Sequence, residues 1–217
     1  MAKRPVFLPS ETGTGLVHQQ DIEFAWHPGM AASQKMKNVT SLHDAAAKAG
    51  LNPLLEVSSR SEWEVGQKLS AFYVKLTVND QATTLECAYQ GSKVFEKGGP
   101  FIDLFNAESR DAKRDPRLRN SGRLIGFRFQ GTDYPLSPAT AFYDWLYIKA
   151  LFTYREWLTK RLKEFRGFTD IEFNPEKSLN CQARSCATFM ALHRRNTLDD
   201  AVESFDVFRA LIQSSSL

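Results

Sequence analysis

The stretch that decides the fold is Leu85-Glu-Cys-Ala-Tyr-Gln-Gly-Ser-Lys-Val-Phe95, which follows Lys68-Leu-Ser-Ala-Phe-Tyr73 after a short turn. Thr84 belongs to the residue types that cap helices, so the longer stretch is predicted to begin a helix with Glu86 in its first turn. Free N–H groups and the positive end of the peptide dipoles lie there, which should keep Glu86 ionised and fixed in direction. Such a carboxylate suits a site that stabilises a developing positive charge. Three side chains are predicted to follow on the same helix at three- and four-residue spacing, namely Tyr89, Gln90 and Lys93.

Length and composition are those of an ordinary globular chain. The 217 residues are 42% hydrophobic and 24% charged, which is enough apolar material for one domain with its own core. The longest apolar runs, around Phe127 and Ala150, are far too short to span a membrane, and Met1-Ala-Lys-Arg-Pro is not followed by an apolar segment. These features predict a soluble cytoplasmic protein with no membrane partner.

Charge and cysteine content narrow the kinds of ligand. The net charge of +3 is weak evidence for a polyanionic partner, but residues 110–128 are locally basic and could contact phosphates. Cys87, Cys181 and Cys186 lack CxxC spacing, so neither a disulfide framework nor a thiolate zinc site is predicted. No metal is expected.

Helical patterns outweigh strand patterns along the chain. In the first half of the chain, helices or helical turns are predicted at 41–49, capped by Ser41, then after a capping box of Ser61 and Glu64, and from residue 85 to a break at 98–100. In the second half they are predicted at 101–120, from 138 to about 165, after a cap at Ser178, and at 198–212. Gly167 is predicted to end the helix that begins at 138. Strands are predicted at 22–26, 71–78 and 123–129, with residues 1–15 as a loose arm or short edge strand. The expected fold class is α+β, a mainly helical single domain with a small β-sheet, in which residues 1–60 form an N-terminal extension packed on a core of residues 61–217.

Several motifs, taken in order, are similar to those of one enzyme family, the NADAR N-glycosidases. The matching segments are Leu69-Ser-Ala-Phe-Tyr73, Glu86-Cys-Ala-Tyr-Gln-Gly-Ser-Lys93, Ala112-Lys113, Gly122-Arg123, Trp145, Asp170-Ile-Glu-Phe173, and Ser178-Leu-Asn180 through Arg195. Because several motifs match in order and spacing, a chance match to one short motif does not explain the similarity. The opening segment, with Trp26-His-Pro-Gly-Met30 and Gln34-Lys35, resembles the branch that accompanies a DNA ADP-ribosylating toxin as its antitoxin.

The resemblance implies a NADAR-like fold and cleavage of an N-glycosidic bond. Members similar to this branch remove ADP-ribose from modified guanine in nucleic acid, while others act on intermediates of riboflavin synthesis. The implied function is an ADP-ribosyl N-glycosidase, a hydrolase that removes ADP-ribose from guanine bases; the implied partner is ADP-ribosylated nucleic acid, with DNA expected rather than RNA, and ADP-ribose is the product. The protein would thereby be the antitoxin to a cognate ADP-ribosyltransferase toxin. No cofactor is implied, because water is the nucleophile.

The resemblance also assigns residues to the site. Glu86 and Asp170 are the implied catalytic carboxylates, of which one stabilises the oxocarbenium-like ribose at C1″ and the other activates water, and the sequence does not say which does which. The implied substrate-binding residues are Ser70, Phe72, Tyr89, Gln90, Lys93, Arg123, Trp145 and Asn180. Fixed cations match phosphate oxygens, so Lys93 and Arg123 would hold the diphosphate or the ribose hydroxyls. Asn180, at a helix start, would seat the ribose or a phosphate, and Trp145 would stack on a ring of the substrate.

Each of these side chains also has an ordinary structural explanation. Glu86 could be a helix-start charge, Asp170 the cap of a turn, Lys93 a solvated helix face, Trp145 a core residue and Arg123 an edge charge.

Three positions depart from the NADAR pattern. Ala71 stands where the family usually has Asn, Cys87 replaces the common His, and Phe173 with Asn174 replaces Trp-Gly. These differences remove hydrogen-bonding groups or alter the shape of the pocket, so they bear on the substrate more than on the reaction.

Two other functions fit the same residues. One keeps the bond type but changes the substrate to a small ribosylated metabolite, such as an intermediate of the riboflavin pathway. The other is a non-catalytic antitoxin that binds the toxin or the modified base and blocks damage physically.

Overall fold

Helices make up most of the regular structure. The computed structural model describes residues 1–213, and the predicted α+β class is confirmed. The helices are α1 (Ala32–Lys48), α2 (Glu64–Lys68), α3 (Leu85–Gly91), α4 (Ser109–Arg114), α5 (Arg117–Asn120), α6 (Ala141–Phe152), α7 (Arg155–Leu162), α8 (Gln182–Arg194), α9 (Leu198–Glu203) and α10 (Phe205–Gln213), with a 3₁₀ helix at Ile102–Asn106. The strands are β1 (Ala2–Pro9), β2 (Val17–Phe24), β3 (Leu54–Glu56), β4 (Lys75–Val78), β5 (Gln81–Thr84), β6 (Lys93–Phe95), β7 (Leu124–Phe129), β8 (Thr132–Tyr134) and β9 (Gly167–Thr169). Within residues 1–213, none of the helices has the length and apolar character that crossing a membrane requires.

The N-terminal strand lies inside a four-stranded sheet of order β2-β1-β9-β3. Strand β1 pairs along its length with β2 in antiparallel orientation, and Phe7 stands opposite Phe168 of β9. The prediction of an arm or edge strand for residues 1–15 is therefore wrong. Strand β1 lies inside the sheet because Val6 and Phe7 are almost fully buried, which holds the strand against neighbours on both sides. Strand β9 runs parallel to β3, so the sheet presents Asp170 directly after its carboxyl end.

Helix α3 is shorter than the sequence pattern predicts. It ends at Gly91, and Lys93 lies in strand β6, opposite Phe127 of β7. The carbonyl oxygen of Ser92 accepts the N–H of Arg128 at 2.7 Å, so sheet pairing takes over the backbone from that point. The prediction that places Lys93 on the helix is wrong. The spacing of residues within one segment carries no information about pairing with a strand that is distant in sequence.

Helix α6 runs through the middle of the core. All its residues from Ala141 to Ile148 are buried, because α3, α8, α9 and α10 all pack against it. The hydroxyl of Tyr147 donates to the carbonyl oxygen of Leu69 at 2.6 Å. This bond ties the core helix to residues 68–73, the first of the two segments that carry the sequence motif.

Several predicted helix boundaries differ from the structure. Ser41 lies inside α1, which begins at Ala32, and its hydroxyl donates to the carbonyl oxygen of Ala25. Ser61 lies outside α2, which has no side-chain cap. The hydroxyl groups of both serines bond to other backbone groups, and such bonds compete with helix capping.

Three more boundaries later in the chain also differ. Gly167 begins strand β9 and does not end a helix, since it is buried against Leu8 and the carbonyl oxygen of Phe7. Ser178 precedes α8, whose cap residue is Cys181. The predicted last helix is divided into α9 and α10 at Ser204. The strand predicted at 123–129 and the helical turns predicted at 101–120 are confirmed.

Candidate active site

Glu86 is held in the first turn of a short buried helix. Helix α3 begins after Thr84, whose Oγ1 accepts the N–H of Cys87 at 3.3 Å, so the predicted cap is confirmed. Every residue of α3 is buried, and Glu86 itself is 5% exposed. Gln90 Nε2 donates to Glu86 Oε1 at 2.8 Å, one turn further along the helix. No hydrogen bond from residues 1–213 reaches Glu86 Oε2, so this oxygen is free to meet a substrate.

Two buried amide oxygens beside this helix lack a hydrogen-bond partner within residues 1–213. They are Gln90 Oε1 and Asn180 Oδ1. The amide nitrogens are both used, since Gln90 Nε2 donates to Glu86 and Asn180 Nδ2 donates to the Tyr89 hydroxyl oxygen at 2.7 Å. Buried polar atoms are nearly always satisfied, so an orphan acceptor indicates a place where a water or a ligand donor binds. The pair can accept hydrogen bonds from hydroxyl groups such as those of a sugar.

Two tyrosines that pack against each other lie near Glu86. The Tyr89 and Tyr143 rings meet edge to face, with centroids 5.1 Å apart. Burial raises the pKa of Tyr89 to about 12, although the hydrogen bond from Asn180 lowers that pKa in part. Burial also raises the pKa of Tyr143 well above its ordinary value, and the negative charges of Glu86 and Asp170 both add to that rise. Both carboxylates are therefore within electrostatic reach of one phenol, which stays neutral.

A cationic group stands next to Glu86. Lys93 Nζ lies 4.7 Å from the centre of the Tyr89 ring. Burial lowers the pKa of Lys93 to about 8, the charge of Glu86 opposes that change, and the charge of Lys113 adds to it. Lys113 in turn lies 5.3 Å from the centre of the Phe72 ring. The structure thus brings Tyr89 and Lys93 to Glu86, with Lys113 as a second cation that contacts the Phe72 ring.

Gln182 and Ala71 lie between Asp170 and the backbone of Glu86. Asp170 is 7% exposed, and its Oδ1 accepts the N–H of Glu172 at 3.0 Å. The Gln182 side chain lies close enough to Asp170 to lower the pKa of that carboxyl. Gln182 Oε1 accepts the N–H of Ala71 at 2.8 Å, and the Ala71 carbonyl oxygen accepts the N–H of Glu86 at 3.1 Å. The backbone of Ala71 therefore bonds both to Glu86 and to Gln182, the side chain that neighbours Asp170.

Three predicted site residues have other surroundings. Trp145 is buried in the core, where its indole N–H donates to the carbonyl oxygen of Ala201 at 3.1 Å. Arg123 has a side chain that is 80% exposed and pairs with Glu96 at 3.2 Å. Ser70 is buried in the turn before Ala71, and its carbonyl oxygen accepts the N–H groups of the residues that follow it. The structure does not bring Trp145 or Arg123 to Glu86, so we leave both out of the candidate site.

A family model described as a DarT1-associated NADAR antitoxin matches residues 2–217. The chain belongs to the NADAR family. The description also places it among antitoxins associated with DarT1, so a DarT toxin is the partner that the family implies. None of the curated proteins with which the chain was compared is similar enough to count as a match.

The three departures from the NADAR pattern occupy different places. Ala71 supplies only backbone groups to the site, its N–H and its carbonyl oxygen. Cys87 is buried on the other side of α3, where its Sγ contacts the carbonyl oxygen of Ala107 at 3.1 Å. Phe173 packs against Phe7, with ring centroids 6.4 Å apart. The Cys87 departure thus concerns the packing of α3 rather than the surroundings of Glu86.

Sequence reasoning missed four residues of this NADAR site. Tyr143 is hidden in an aromatic-rich helix, and Lys113 and Gln182 lie within matching segments but are given no role in the site by the resemblance. Glu56 offered a signal that could have been found. It is a carboxylate within an apolar run, Leu54-Leu-Glu-Val57, and a charge in such a run needs a partner when it is buried.

Two cavities lie near the NADAR motifs but not between the carboxylates. One, of about 170 Å³, is lined by residues that include His43 and Glu56, and the other, of about 480 Å³, by residues that include Asp144 and Arg184. Neither is lined by Glu86 or Asp170. We place the site by its chemistry, because buried carboxylates and orphan acceptors identify reactive groups whereas cavity volume reports shape alone. Among residues 1–213, no group of three or more His, Cys, Asp or Glu side chains is arranged to hold a metal ion.

Proposed function

We propose that this NADAR antitoxin is an ADP-ribosyl N-glycosidase that removes ADP-ribose from guanine bases in DNA and so reverses the damage made by its cognate toxin. One observation carries the proposal: Glu86, with a free carboxylate oxygen, is linked through Ala71 and Gln182 to Asp170. Cleavage of a glycosidic bond uses two carboxyl groups in different surroundings, because the ribose carbon becomes positively charged while the base departs.

The groups around Glu86 support a sugar–diphosphate as the ligand. The orphan acceptors Gln90 Oε1 and Asn180 Oδ1 suit ribose hydroxyl donors. Lys93 and Lys113 supply positive charge on the same side, and Lys93 is half-buried, so its attraction for a phosphate is less screened than on an open surface. The aromatic rings of Phe72 and Tyr89 give the site apolar walls.

The test is incubation with an oligonucleotide that carries one ADP-ribosylated guanine. We expect mass spectrometry to find free ADP-ribose and a strand whose guanine is restored. An oligonucleotide of the same sequence without the modification should stay unchanged. If the adduct persists while cells expressing the protein still survive the toxin, the protein is a binding antitoxin. If only a ribosylated nucleoside or metabolite is cleaved, the substrate class proposed above is wrong.

We predict that the affinity for ADP-ribose falls as the pH rises through about 8, because Lys93 loses its proton near that pH. The charged form of a lysine is present below its pKa and lost above it, and the lowered pKa of Lys93 brings that loss into the range near pH 8. Titration calorimetry between pH 7 and 9 would measure the effect. Lys93→Arg should bind with little dependence on pH over this range, since a guanidinium stays protonated. The same decline in Lys93→Arg would show that another group is responsible.

A further inference from the structure

A second buried carboxylate lies next to Asp170. Glu56, in strand β3, is 1% exposed. Its Oε1 accepts hydrogen bonds from Ser58 Oγ at 2.6 Å and from the Ile171 N–H at 2.9 Å, and its Oε2 accepts one from Thr169 Oγ1 at 2.7 Å. Three donors around a buried carboxylate fix its direction and favour its ionised form.

Glu56 bonds to the residues on both sides of Asp170 in the chain. These residues are Thr169 and Ile171. The parallel pairing of β3 with β9 sets Glu56 opposite Thr169. Both carboxyl groups are buried and the charge of Glu56 acts on Asp170, so they cannot both ionise at little cost and one of them retains a proton.

The hydrogen bonds indicate which group holds the proton. Glu56 receives three donors, whereas the Asp170 carboxyl receives one, the Glu172 N–H. Burial, followed by the charge of Glu56, raises the pKa of Asp170 well above its usual range. Burial raises the pKa of Glu56 to about 7, and its hydrogen bonds oppose that rise. The proton therefore belongs on Asp170.

We propose that Glu56 is a positioning residue that keeps Asp170 protonated, which makes Asp170 the general acid and leaves Glu86 as the ionised carboxylate of the site. This inference rests on the proposed glycosidase function. As the bond between C1″ and the base nitrogen breaks, its electron pair stays with the base, and Asp170 delivers its proton there. Glu86 stabilises the positive ribose, water adds to C1″, and the proton that the water loses returns to Asp170. ADP-ribose and the DNA strand with its unmodified guanine are the products, and Asp170 ends as it began.

Other ionisable groups face this pair and contribute to its titration. Glu172 lies on the same segment and pairs with Lys35 and Arg60. Tyr143 and Tyr147 face Asp170 from α6, and Cys181 faces it from the start of α8. His43 on α1 reaches Glu56 through Thr169. Glu172 is the useful comparison, because it also raises the pKa of Asp170 but is exposed and paired with two cations.

The substitution Glu56→Gln should fold, because its hydrogen bonds can be kept. Thr169 Oγ1 lies 2.8 Å from His43 Nε2 and donates its single proton to Glu56, so His43 must donate to Thr169. With glutamine at 56, the direction can reverse: the amide donates to Thr169, and Thr169 donates to a His43 tautomer whose Nε2 is unprotonated. The variant thus removes the charge and keeps the contacts.

The test is the pH dependence of kcat/KM for ADP-ribose release. Activity that needs protonated Asp170 is present below its pKa and is lost above it. Glu56→Gln should move that loss toward lower pH by about one unit, since the neighbouring charge is gone. Glu56→Asp, which keeps the charge, and Glu172→Gln should leave the midpoint near that of the wild type. A uniform drop at every pH in Glu56→Gln, with no shift of the midpoint, would overturn the proposal.

A second readout separates this inference from the proposed function. The side-chain carboxyl of Asp170 can be titrated by carbon NMR in the resting protein, with Asp170→Asn to assign the signal. We expect a lower midpoint in Glu56→Gln than in the wild type, whatever the substrate is. An unchanged midpoint refutes the role of Glu56. A shifted midpoint in a protein that releases no ADP-ribose supports the coupling and rejects the glycosidase.

Discussion

The substitution Glu86→Gln is expected to lower kcat for release of ADP-ribose by about a thousandfold, the loss typical of removing a preorganised electrostatic partner of the transition state. Glutamine has nearly the same shape and keeps a carbonyl oxygen for Gln90 Nε2, which donates to Glu86 Oε1 at 2.8 Å. What it removes is the negative charge opposite the ribose carbon. Binding of substrate should change far less than kcat, because the positive charge develops only as the bond breaks.

The control for this variant is Glu108→Gln, since Glu108 is an exposed carboxylate at the start of α4 with no side-chain cap bond. We expect it to react at the rate of the wild type. Single-turnover assays on the modified oligonucleotide would measure both variants, and thermal unfolding would confirm that both are folded. A Glu86→Gln protein within tenfold of the wild-type rate would remove Glu86 from the mechanism.

The same variant should also change Lys93. The charge of Glu86 raises the pKa of Lys93, against the larger lowering by burial. Without that charge, the pKa of Lys93 should fall below the value of about 8 in the wild type. Nitrogen NMR of the lysine side chains would detect the shift. It would show that the two groups interact directly, independently of any substrate.

The second large effect concerns stability. We expect Phe142→Ala to lower the free energy of unfolding by about 3–5 kcal/mol, because it empties a ring-sized space in the core. Phe142 is 1% exposed, and its ring centroid lies 4.5 Å from that of Phe127 and 4.9 Å from that of Tyr134. Domains of this kind have only about 5–15 kcal/mol of stability in all. The loss is therefore a large part of the total.

Urea unfolding followed by tryptophan fluorescence would measure the change. The comparison variant is Trp157→Ala, because Trp157 is an aromatic residue on α7 that is 43% exposed. It should cost less than about 1 kcal/mol, as surface substitutions usually do. Because the Phe142 ring also stacks 6.4 Å from Tyr89, part of any lost activity in Phe142→Ala would come from disorder at the site. A cost below about 1 kcal/mol for Phe142→Ala would contradict the packing argument.

Features that depend on neighbouring residues could be predicted from the sequence. The Thr84 cap, the start of α3 and the place of Glu86 in its first turn follow from residue type and spacing over a few positions. The α+β class follows from the balance of helical and alternating patterns along the chain. Family membership could be predicted too, because the order of the motifs can be seen in the sequence without knowledge of the tertiary contacts.

Features that depend on distant partners could not be predicted. Helical spacing puts Lys93 beside Glu86 on one helix, but pairing with β7 places Lys93 in a strand and brings it to Glu86 from there. Trp145 is a good stacking residue by type, yet the position of α9 makes its indole a core group bonded to Ala201. The aromatic run that contains it gave no sign of which rings face the site.

The sequence by itself determined the helix that carries Glu86, the fold class and the family, because capping and periodicity act between residues a few positions apart. Only the tertiary structure decided what stands beside Asp170. Glu56 and Thr169 are 113 positions apart along the chain and are joined by the pairing of β3 with β9. Whether a buried carboxyl keeps its proton depends on its neighbours in space, on desolvation and on the donors that reach it. None of these can be seen in the order of residues around Asp170.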